Sequence, residues 1–443
     1  MAQATLNFPR GFVWGTATAA YQVEGNNTKN NWYAWEQSGK IIEEQACGLA
    51  CDWWGGRWRE DFARAAEAGQ NAHRLSLEWS RIQPKIDRWD ETALDRYREI
   101  VRGALESGLS PMVTLHHFTE PLWFSELGGW QNENAVAYFE AYVRKTVKAL
   151  NEYVSRWCTI NEPNVLAVAA FLNGDFPPGE HSMGAVYRAM TSLIRAHAAA
   201  YQAIHEIQPD AQVGVAHHYR GFLPAGSKSP LDRWAAAAIS RTFNDAFPRA
   251  LVDGKLRFLG ARKHIPAAQG TQDFFGLNYY TRERVRFSLL KAGELFGRRF
   301  YPPDADLSPT GFIANEPDGF FQALKWAKSF GLPIFVTENG TEDPEADDTF
   351  RRRYLAGHIQ QLWHAVNYNW KILGYFHWSL VDNFEWERGW TQRFGLWELD
   401  TETQARRKRP GADFYAAICK ENALTSEMVA RYAPEIFEKL FPN

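Results

Sequence analysis

The chain has 443 residues, of which 45% are hydrophobic and 23% are charged, and its 49 Lys+Arg against 52 Asp+Glu leave a net charge of −3. These values are typical of a globular protein and exclude disordered and collagen-like chains. The balanced charge also argues against nucleic-acid binding and against electrostatic attachment to a membrane. About three domains would be usual at this length, although an α/β barrel can use as much chain in one domain.

Eight short apolar runs, rich in residues that favour β-structure, recur along the chain and are predicted to be strands. In chain order they are Phe12–Ala17, Ala72–Leu77, Pro111–Leu115, Trp157–Ile160, Gln212–Ala216, Asp273–Asn278, Pro333–Thr337 and Ile372–Trp378. Amphipathic spacing predicts helices between these runs, and Gly108 is a plausible C-terminal cap for one of them. The predicted helices are Trp58–Glu67, Glu91–Gly108, Asn134–Glu152, Ala185–Gln208, Pro317–Phe330 and Phe350–Asn367.

The alternation of strands and helices indicates a parallel sheet. Eight units with near-continuous apolar strands favour a closed (β/α)8 barrel over an open sheet. The sequence after the first strand, Ala-Tyr-Gln-Val-Glu-Gly at 20–25, lacks the glycine-rich turn of a dinucleotide-binding fold. We therefore predict an α/β protein with one (β/α)8 TIM-barrel domain over residues 1–443, whose active site lies at the C-terminal ends of the strands.

The cysteine content and the apolar runs indicate where in the cell the protein is expected. Four cysteines are too few for a disulfide scaffold, and Cys47 and Cys51 have no second Cys or His pair beside them, so we expect free thiols and no metal site. Met1–Arg10 lacks the basic and apolar regions of a signal peptide. The longest apolar run, Val165–Leu172, is much shorter than the ~20 residues that cross a bilayer. We expect a soluble, cytoplasmic protein.

Polar and aromatic side chains follow the predicted strands at the end where a barrel carries its active site. Amide and carboxylate groups bind hydroxyls, and an indole ring covers the C–H face of a sugar. The pattern therefore predicts a site for a neutral polyhydroxylated ring. The residues concerned are Gln22, Glu24, Arg74, Glu78, His116, His117, Asn161, Glu162, Asn278, Tyr280, Glu338, Asn339, Trp378, Glu385 and Trp386.

Two of these carboxylates directly end a strand: Glu162 in Thr-Ile-Asn-Glu-Pro and Glu338 in Val-Thr-Glu-Asn-Gly. The fourth and seventh strands lie on opposite sides of an eight-stranded barrel, so the two side chains can face one another. Glycosyl transfer needs such a pair around the scissile bond, one protonated and one ionised. Either glutamate alone could equally form a salt bridge or cap a helix, but the two together favour catalysis.

These motifs, with Phe-Pro-Arg-Gly-Phe-Val-Trp-Gly at 8–15 and Trp-Ser-Leu-Val-Asp-Asn-Phe-Glu-Trp at 378–386, resemble those of glycoside hydrolase family 1. The resemblance continues through Arg393-Phe-Gly-Leu to the region of Lys408 and covers nearly the whole chain. It implies a (β/α)8 barrel and a retaining exo-β-glycosidase, most specifically a β-glucosidase. It also implies that no metal and no organic cofactor is needed.

The resemblance assigns roles residue by residue. Glu162 is similar to the acid/base and Glu338 to the nucleophile, while Arg74 and Tyr280 match residues that orient the nucleophile. We expect the charge of Glu338, together with burial, to raise the pKa of Glu162. The positions similar to substrate-binding residues are Gln22, His117, Asn161, Asn278, Tyr280, Trp378, Glu385, Trp386 and Phe394.

The motifs say less about which sugar and which leaving group the enzyme prefers than about the reaction itself. Phe118 stands where many members have Trp, and the segment 282–309, which shapes the leaving-group side, looks short. We expect small β-glucosides and oligosaccharides such as cellobiose as substrates, with side activity on β-galactosides or β-fucosides. The alternatives are a β-galactosidase or transglycosidase of the same family, and a catalytically silent sugar-binding barrel. The presence of both Glu162 and Glu338 argues against a silent barrel.

Two features lie outside this set. His217 and His218 follow the fifth strand without a carboxylate at metal spacing, so we expect them to pack or to hydrogen-bond a neighbouring residue. Trp123, just past the third strand, fits either the core or the entrance on the leaving-group side.

Overall fold

The structure is a computed structural model that describes residues 4–442. Met1–Gln3, which begin the Met1–Arg10 segment predicted to lack signal-peptide features, lie outside the described residues. The eight predicted strands are all present, and we number them β1 to β8 in chain order. They are Val13–Ala17, Ala72–Ser76, Ser110–His116, Arg156–Asn161, Gln212–Pro224, Phe274–Phe287, Ile334–Asn339 and Ile372–Trp378.

These strands form one closed parallel barrel. Each pairs in parallel with its neighbours in chain order, β8 pairs with β1, and β5 pairs with β6 to complete the ring. The predicted (β/α)8 barrel is therefore confirmed. Because every strand runs the same way, the residues that end the strands gather at one mouth, and β4 and β7 present their last residues from different sides of it.

Helices pack around the barrel where the sequence spacing predicts them. Asp90 caps one of them by accepting a hydrogen bond from Ala93 N (3.2 Å), and Gly108 adopts φ +80° just beyond its end. The longer helices are Trp58–Glu67, Glu91–Glu106, Ala135–Leu150, Met183–Ile207, Pro230–Ser240, Ala246–Asp253, Pro317–Lys328, Thr349–Asn367 and Pro410–Glu421.

Strands β5 and β6 continue beyond the barrel rim. They stay paired to Pro224 and Val285, and Gly297–Phe300 adds an antiparallel strand to β6. A short 3-10 helix, Leu289–Glu294, joins β6 to that added strand. The segment that looked short in the sequence thus forms a hairpin, called here the rim hairpin (residues 282–300), beside the mouth of the barrel.

Shorter elements complete the fold. Within residues 4–442, no helix is long and apolar enough to cross a membrane. The short helices include Ala20–Glu24, Asn31–Gln37, Trp79–Ile82, Leu122–Glu126, Pro163–Val168, Ser426–Tyr432 and Phe437–Leu440. The remaining strands are Thr5–Asn7, Lys255–Phe258, Ala261–His264, Trp397–Leu399, Arg406–Lys408 and Ala423–Thr425.

Candidate active site

A cleft of about 540 Å³ opens at the C-terminal ends of the strands, where the sequence predicts the active site. Three of the predicted site residues, Gln22, Arg74 and Asn278, are completely buried and contact the residues that form its wall. Nine others line the cleft directly: His117, Asn161, Glu162, Tyr280, Glu338, Trp378, Glu385, Trp386 and Phe394.

The carboxyl group of Glu338 is held at both oxygens. Arg74 on β2 forms a buried ion pair with Oε1, and the hydroxyl of Tyr280 donates to Oε2 at 2.7 Å. Arg74 is itself fixed, because Nη2 donates to Asn161 Oδ1 at 2.7 Å and Nε donates to Thr114 Oγ1 at 3.1 Å. Two donors on different strands therefore fix the orientation of this carboxylate.

Glu162 lies between the end of β4 and the helix Pro163–Val168, with a backbone φ of +44° that non-glycine residues seldom adopt. Its Oε1 accepts a hydrogen bond from Asn278 Nδ2 at 2.8 Å and lies 2.7 Å from His218 Nδ1 on β5. The expectation that His218 hydrogen-bonds a neighbouring residue is thus confirmed, and that neighbour is Glu162. His217 instead lies 2.8 Å from Gln272 Oε1 through Nε2 and stacks on Phe275.

The two carboxyl groups influence each other's protonation. Burial and the charge of Glu162 raise the pKa of Glu338 to about 7, although Arg74 and Tyr280 act in the opposite direction. Burial also raises the pKa of Glu162, but its contacts with His218 and Asn278 outweigh this and leave the pKa below its ordinary value. The expected rise at Glu162 is therefore wrong for the free site, because the sequence did not indicate that His218 contacts this carboxyl. Groups coupled in this way titrate as a pair.

Part of the cleft wall combines polar atoms with aromatic faces. Gln22 Nε2 donates to Glu385 Oε2 at 3.2 Å and to Asn383 Oδ1 at 3.0 Å. The ring of His117 stacks with the ring of Trp378 and with the ring of Trp386, with centroids 5.9 Å apart in each pair. Among the described residues, Gln22 Oε1 and His117 Nδ1 are buried without a hydrogen-bond partner, so each is free to bind a hydroxyl.

Two carboxyl groups of the cleft, those of Glu385 and Glu387, have raised pKa values, which favours their neutral form. Burial, followed by the charges of Glu387 and Glu338, raises the pKa of Glu385 to about 8. Burial likewise raises the pKa of Glu387 to about 7. A protonated carboxyl can donate one hydrogen bond and accept others, so at neutral pH Glu385 offers both functions to a ligand.

Sequence reasoning missed several residues of the outer cleft. Arg220 on β5 pairs with Glu283 on the rim hairpin (Nε to Oε2, 3.0 Å), and Phe243 lies in the π-helical turn Arg241–Asp245. Arg220 and Glu283 lie where β5 and β6 continue past the barrel rim, and Phe243 lies in a helical turn, so reasoning from the ends of the predicted strands does not reach them. Trp123, by contrast, donates its indole N–H to the carbonyl of Gln83 at 2.9 Å and packs against Trp79, away from the described cleft lining.

Comparison with known proteins defines the class. The sequence matches glycosyl hydrolase family 1 over residues 4–424, and the chain belongs to this family. It is 32% identical to β-glucosidase A of Thermotoga maritima, over 94% of this chain and 98% of that protein. It is also 31% identical to the human cytosolic β-glucosidase, over 96% of this chain and 100% of that one.

Solved structures agree with the fold. A β-glycosidase from Pyrococcus horikoshii is 35% identical and superimposes with a TM-score of 0.90 over 97% of this chain and 98% of that one. The T. maritima β-glucosidase in complex with deoxynojirimycin is 31% identical, with a TM-score of 0.89 over 94% of this chain and 99% of that one.

Proposed function

We propose that this chain is a retaining exo-β-glucosidase that removes terminal, non-reducing β-D-glucosyl residues. The observation that carries the proposal is the pair of carboxyl groups at the ends of β4 and β7, each with its own donors in one cleft. Membership of family 1, whose members retain configuration, and relatives named β-glucosidase support it.

In the first step Glu338 acts as the nucleophile. Its carboxylate attacks the anomeric carbon while the bond to the leaving oxygen breaks, and Glu162 transfers its proton to that oxygen. The coupled pair therefore reacts in the form that carries its one proton on Glu162 and not on Glu338. The donors Arg74 and Tyr280 fix the direction of attack. The products of this step are the free aglycone and a glucosyl ester of Glu338.

In the second step Glu162, now ionised, takes a proton from water, and the water oxygen attacks the anomeric carbon and releases Glu338. Formation of the ester removes the charge of Glu338. His218 and Asn278, which donate to Glu162, favour its ionised form and so prepare it to act as the base.

The pocket chemistry supports a neutral hexose as the group transferred. Gln22, His117, Asn161 and Glu385 supply donors and acceptors for hydroxyls, and Trp378 supplies a stacking surface. Because Gln22 and Glu385 could both reach an axial 4-hydroxyl, we propose side activity on β-galactosides and β-fucosides. We include cellobiose among the substrates, and we propose a cytoplasmic location because the human relative is named a cytosolic β-glucosidase.

Product stereochemistry tests the mechanism. Proton NMR at early times should show β-glucose as the first product, and 2-deoxy-2-fluoro-β-glucosyl fluoride should label Glu338, which peptide mass spectrometry identifies. Initial α-glucose would contradict retention, and no turnover of any β-glycoside would favour the silent sugar-binding barrel. Measuring kcat/KM on β-glucosides, β-galactosides, β-fucosides and cellobiose then ranks these substrates by preference.

A further inference from the structure

The tip of the rim hairpin exposes two leucines to solvent. Leu290 is 95% exposed and Leu289 is 75% exposed, the highest values among the large hydrophobic side chains of residues 4–442. At the base of this tip Phe287 packs against Trp234, which lies on the helix Pro230–Ser240 and is itself 47% exposed. Single exposed leucines are common on protein surfaces, whereas several neighbouring apolar side chains mark an interaction site.

A second hairpin lies beside this tip and has the same character. Its strands, Lys255–Phe258 and Ala261–His264, are joined by a turn at Leu259, whose side chain is 48% exposed. Phe258 lines a small cavity together with Leu295 of the rim hairpin, so the tips of the two hairpins are neighbours. Together with the helix Pro230–Ser240 they form one surface, which we call the tip surface (residues 226–240, 253–264 and 282–300).

Both hairpins of the tip surface hold two arginines directly opposite one another. Arg286 is opposite Arg298 in the rim hairpin, and Arg257 is opposite Arg262 in the second hairpin. All four side chains are exposed. Like charges at directly opposite positions destabilise a pair of strands. An anion bound between the hairpins would offset this cost in both of them.

The acidic side chains of the tip surface already have partners within the protein. The ion pairs are Glu283 with Arg220 and Arg299, Glu294 with Lys291, and Asp253 with Arg257, while Asp232 accepts hydrogen bonds from the backbone N–H groups of Gly226 and Phe287. The exposed lysines and arginines of the tip surface that take part in none of these pairs are Lys228, Arg233, Lys255, Arg262, Lys263, Arg286 and Arg298. The net charge of −3 does not show this concentration of positive charge, because it sums over the whole chain.

We propose that the tip surface binds an anionic lipid surface peripherally, with Leu289 and Leu290 entering the headgroup layer and the arginines lying beside the lipid phosphates. Proteins bind such a surface through buried apolar area together with attraction between basic side chains and anionic headgroups. An indole such as that of Trp234 is favoured at the boundary between lipid and water. This binding is independent of the reaction catalysed in the cleft.

Charge and shape favour a lipid surface over other occupants. Two copies of this chain that met through their tip surfaces would bring the arginines of both copies together, and like charges repel. Leu290 is almost fully exposed, so a lipid layer can accept it without a matching pocket, whereas a folded acidic partner would have to supply one.

The expected affinities follow from these contacts. Each basic residue close to an anionic membrane strengthens binding roughly fivefold, so neutralising two arginines should weaken binding about 25-fold. Removing a leucine that is buried on binding should weaken it by about tenfold or more. Added salt should weaken binding as well, because it screens the attraction between exposed charges.

The test is co-sedimentation of the full chain with phosphatidylcholine vesicles that do or do not contain phosphatidylserine. We expect binding to the vesicles with phosphatidylserine, falling as salt is raised, and little binding to phosphatidylcholine alone. Absence of binding to the anionic vesicles at low salt, or equal binding to both kinds, would overturn the proposal. Light scattering after size-exclusion chromatography reports a second copy as the occupant: a dimer that Leu289→Ser/Leu290→Ser dissociates would also overturn it.

Variants locate the binding surface. Leu289→Ser/Leu290→Ser and Arg286→Gln/Arg298→Gln should each lose vesicle binding by the factors given above. The matched control, Arg102→Gln/Leu105→Ser, removes an exposed arginine and an exposed leucine from the helix Glu91–Glu106 and should bind as the natural protein does. The Tm of each variant shows that it is folded, and that of Arg286→Gln/Arg298→Gln should be no lower than the natural value, since a like-charged pair is removed. Equal loss in the control, or full binding by both hairpin variants, would overturn the assignment.

Discussion

Replacing Glu385 with glutamine should make the protein's stability less sensitive to rising pH. Burial and the charges of Glu387 and Glu338 raise the pKa of Glu385 to about 8 in the folded chain, against an ordinary value of 4.5. Between these values the unfolded chain loses the proton while the folded chain keeps it. The stability from this group is therefore complete below pH 4.5 and is lost as the pH rises through about 8.

The size of this effect can be worked out from the pKa difference. A rise from 4.5 to about 8 corresponds to at most about 5 kcal/mol. Glu385 is partly exposed to the cleft, and its neighbours also titrate, so we expect roughly 1–2 kcal/mol between pH 5 and pH 9. At ~2.1 cal/mol/K per residue, 1 kcal/mol shifts the Tm of a chain this long by about 1 °C.

Differential scanning fluorimetry from pH 5 to pH 9 measures this difference. Between these limits the Tm of Glu385→Gln should fall about 1–2 °C less than that of the natural protein. Glu106→Gln, at the exposed end of the helix Glu91–Glu106, controls for loss of a carboxylate far from the site. The reasoning is refuted if the curves of Glu385→Gln and the natural protein run parallel.

Three further predictions concern the reaction. Glu162→Ala should lose most activity on poor leaving groups, and azide should rescue it with a β-glucosyl azide, whereas Glu338→Gly with azide should give the α-azide; equal, unrescued losses would indicate structural damage. His218→Phe removes a partner that favours ionised Glu162, so the pH profile of kcat/KM, whose limbs belong to the coupled pair, should move to higher pH; an unmoved profile would contradict this role. Glucoside 6-phosphates should be much poorer substrates than plain glucosides, because a phosphate of about −1.5 to −2 charge would lose its hydration beside Glu385 and Glu387, which offer no positive charge to pair with it and repel it when ionised; a preference for the phosphorylated sugar would refute this.

The sequence predicts the barrel strands well because each strand can be recognised from its own short run of residues. Each of the eight predicted strands overlaps an observed one, since strands of a buried parallel sheet are mostly apolar and stand out as short apolar runs. The extensions of β5 to Pro224 and of β6 to Phe287 were missed, because outside the barrel these strands are only partly buried and their apolar pattern weakens. The rim hairpin depends on that pairing and was missed with them.

Hydrogen bonds within the site join residues that are far apart in the sequence, so the sequence predicts which residues reach the site but not which of them contact one another. Strand ends identified Glu162 and Glu338, because position on a parallel barrel determines which residues reach the mouth. The pKa of Glu162 was predicted in the wrong direction, because its hydrogen-bond partners come from β5 and β6, and contacts across strands depend on register. Knowing that His218 follows a strand does not reveal which carboxyl it contacts.

Electrostatics connects stability with sugar binding in this cleft. Glu338, Glu385 and Glu387 all have raised pKa values, because the cleft removes carboxyl groups from water and places them close to one another. A chain selected only for stability would replace Glu385 with a neutral residue. Keeping it protonated near neutral pH instead gives the pocket a donor and an acceptor on one side chain, beside the unpartnered oxygen of Gln22. Each sugar hydroxyl can both donate and accept a hydrogen bond. Glu385, which lowers the stability of the fold at high pH, is therefore also a side chain that can hydrogen-bond two neighbouring hydroxyls.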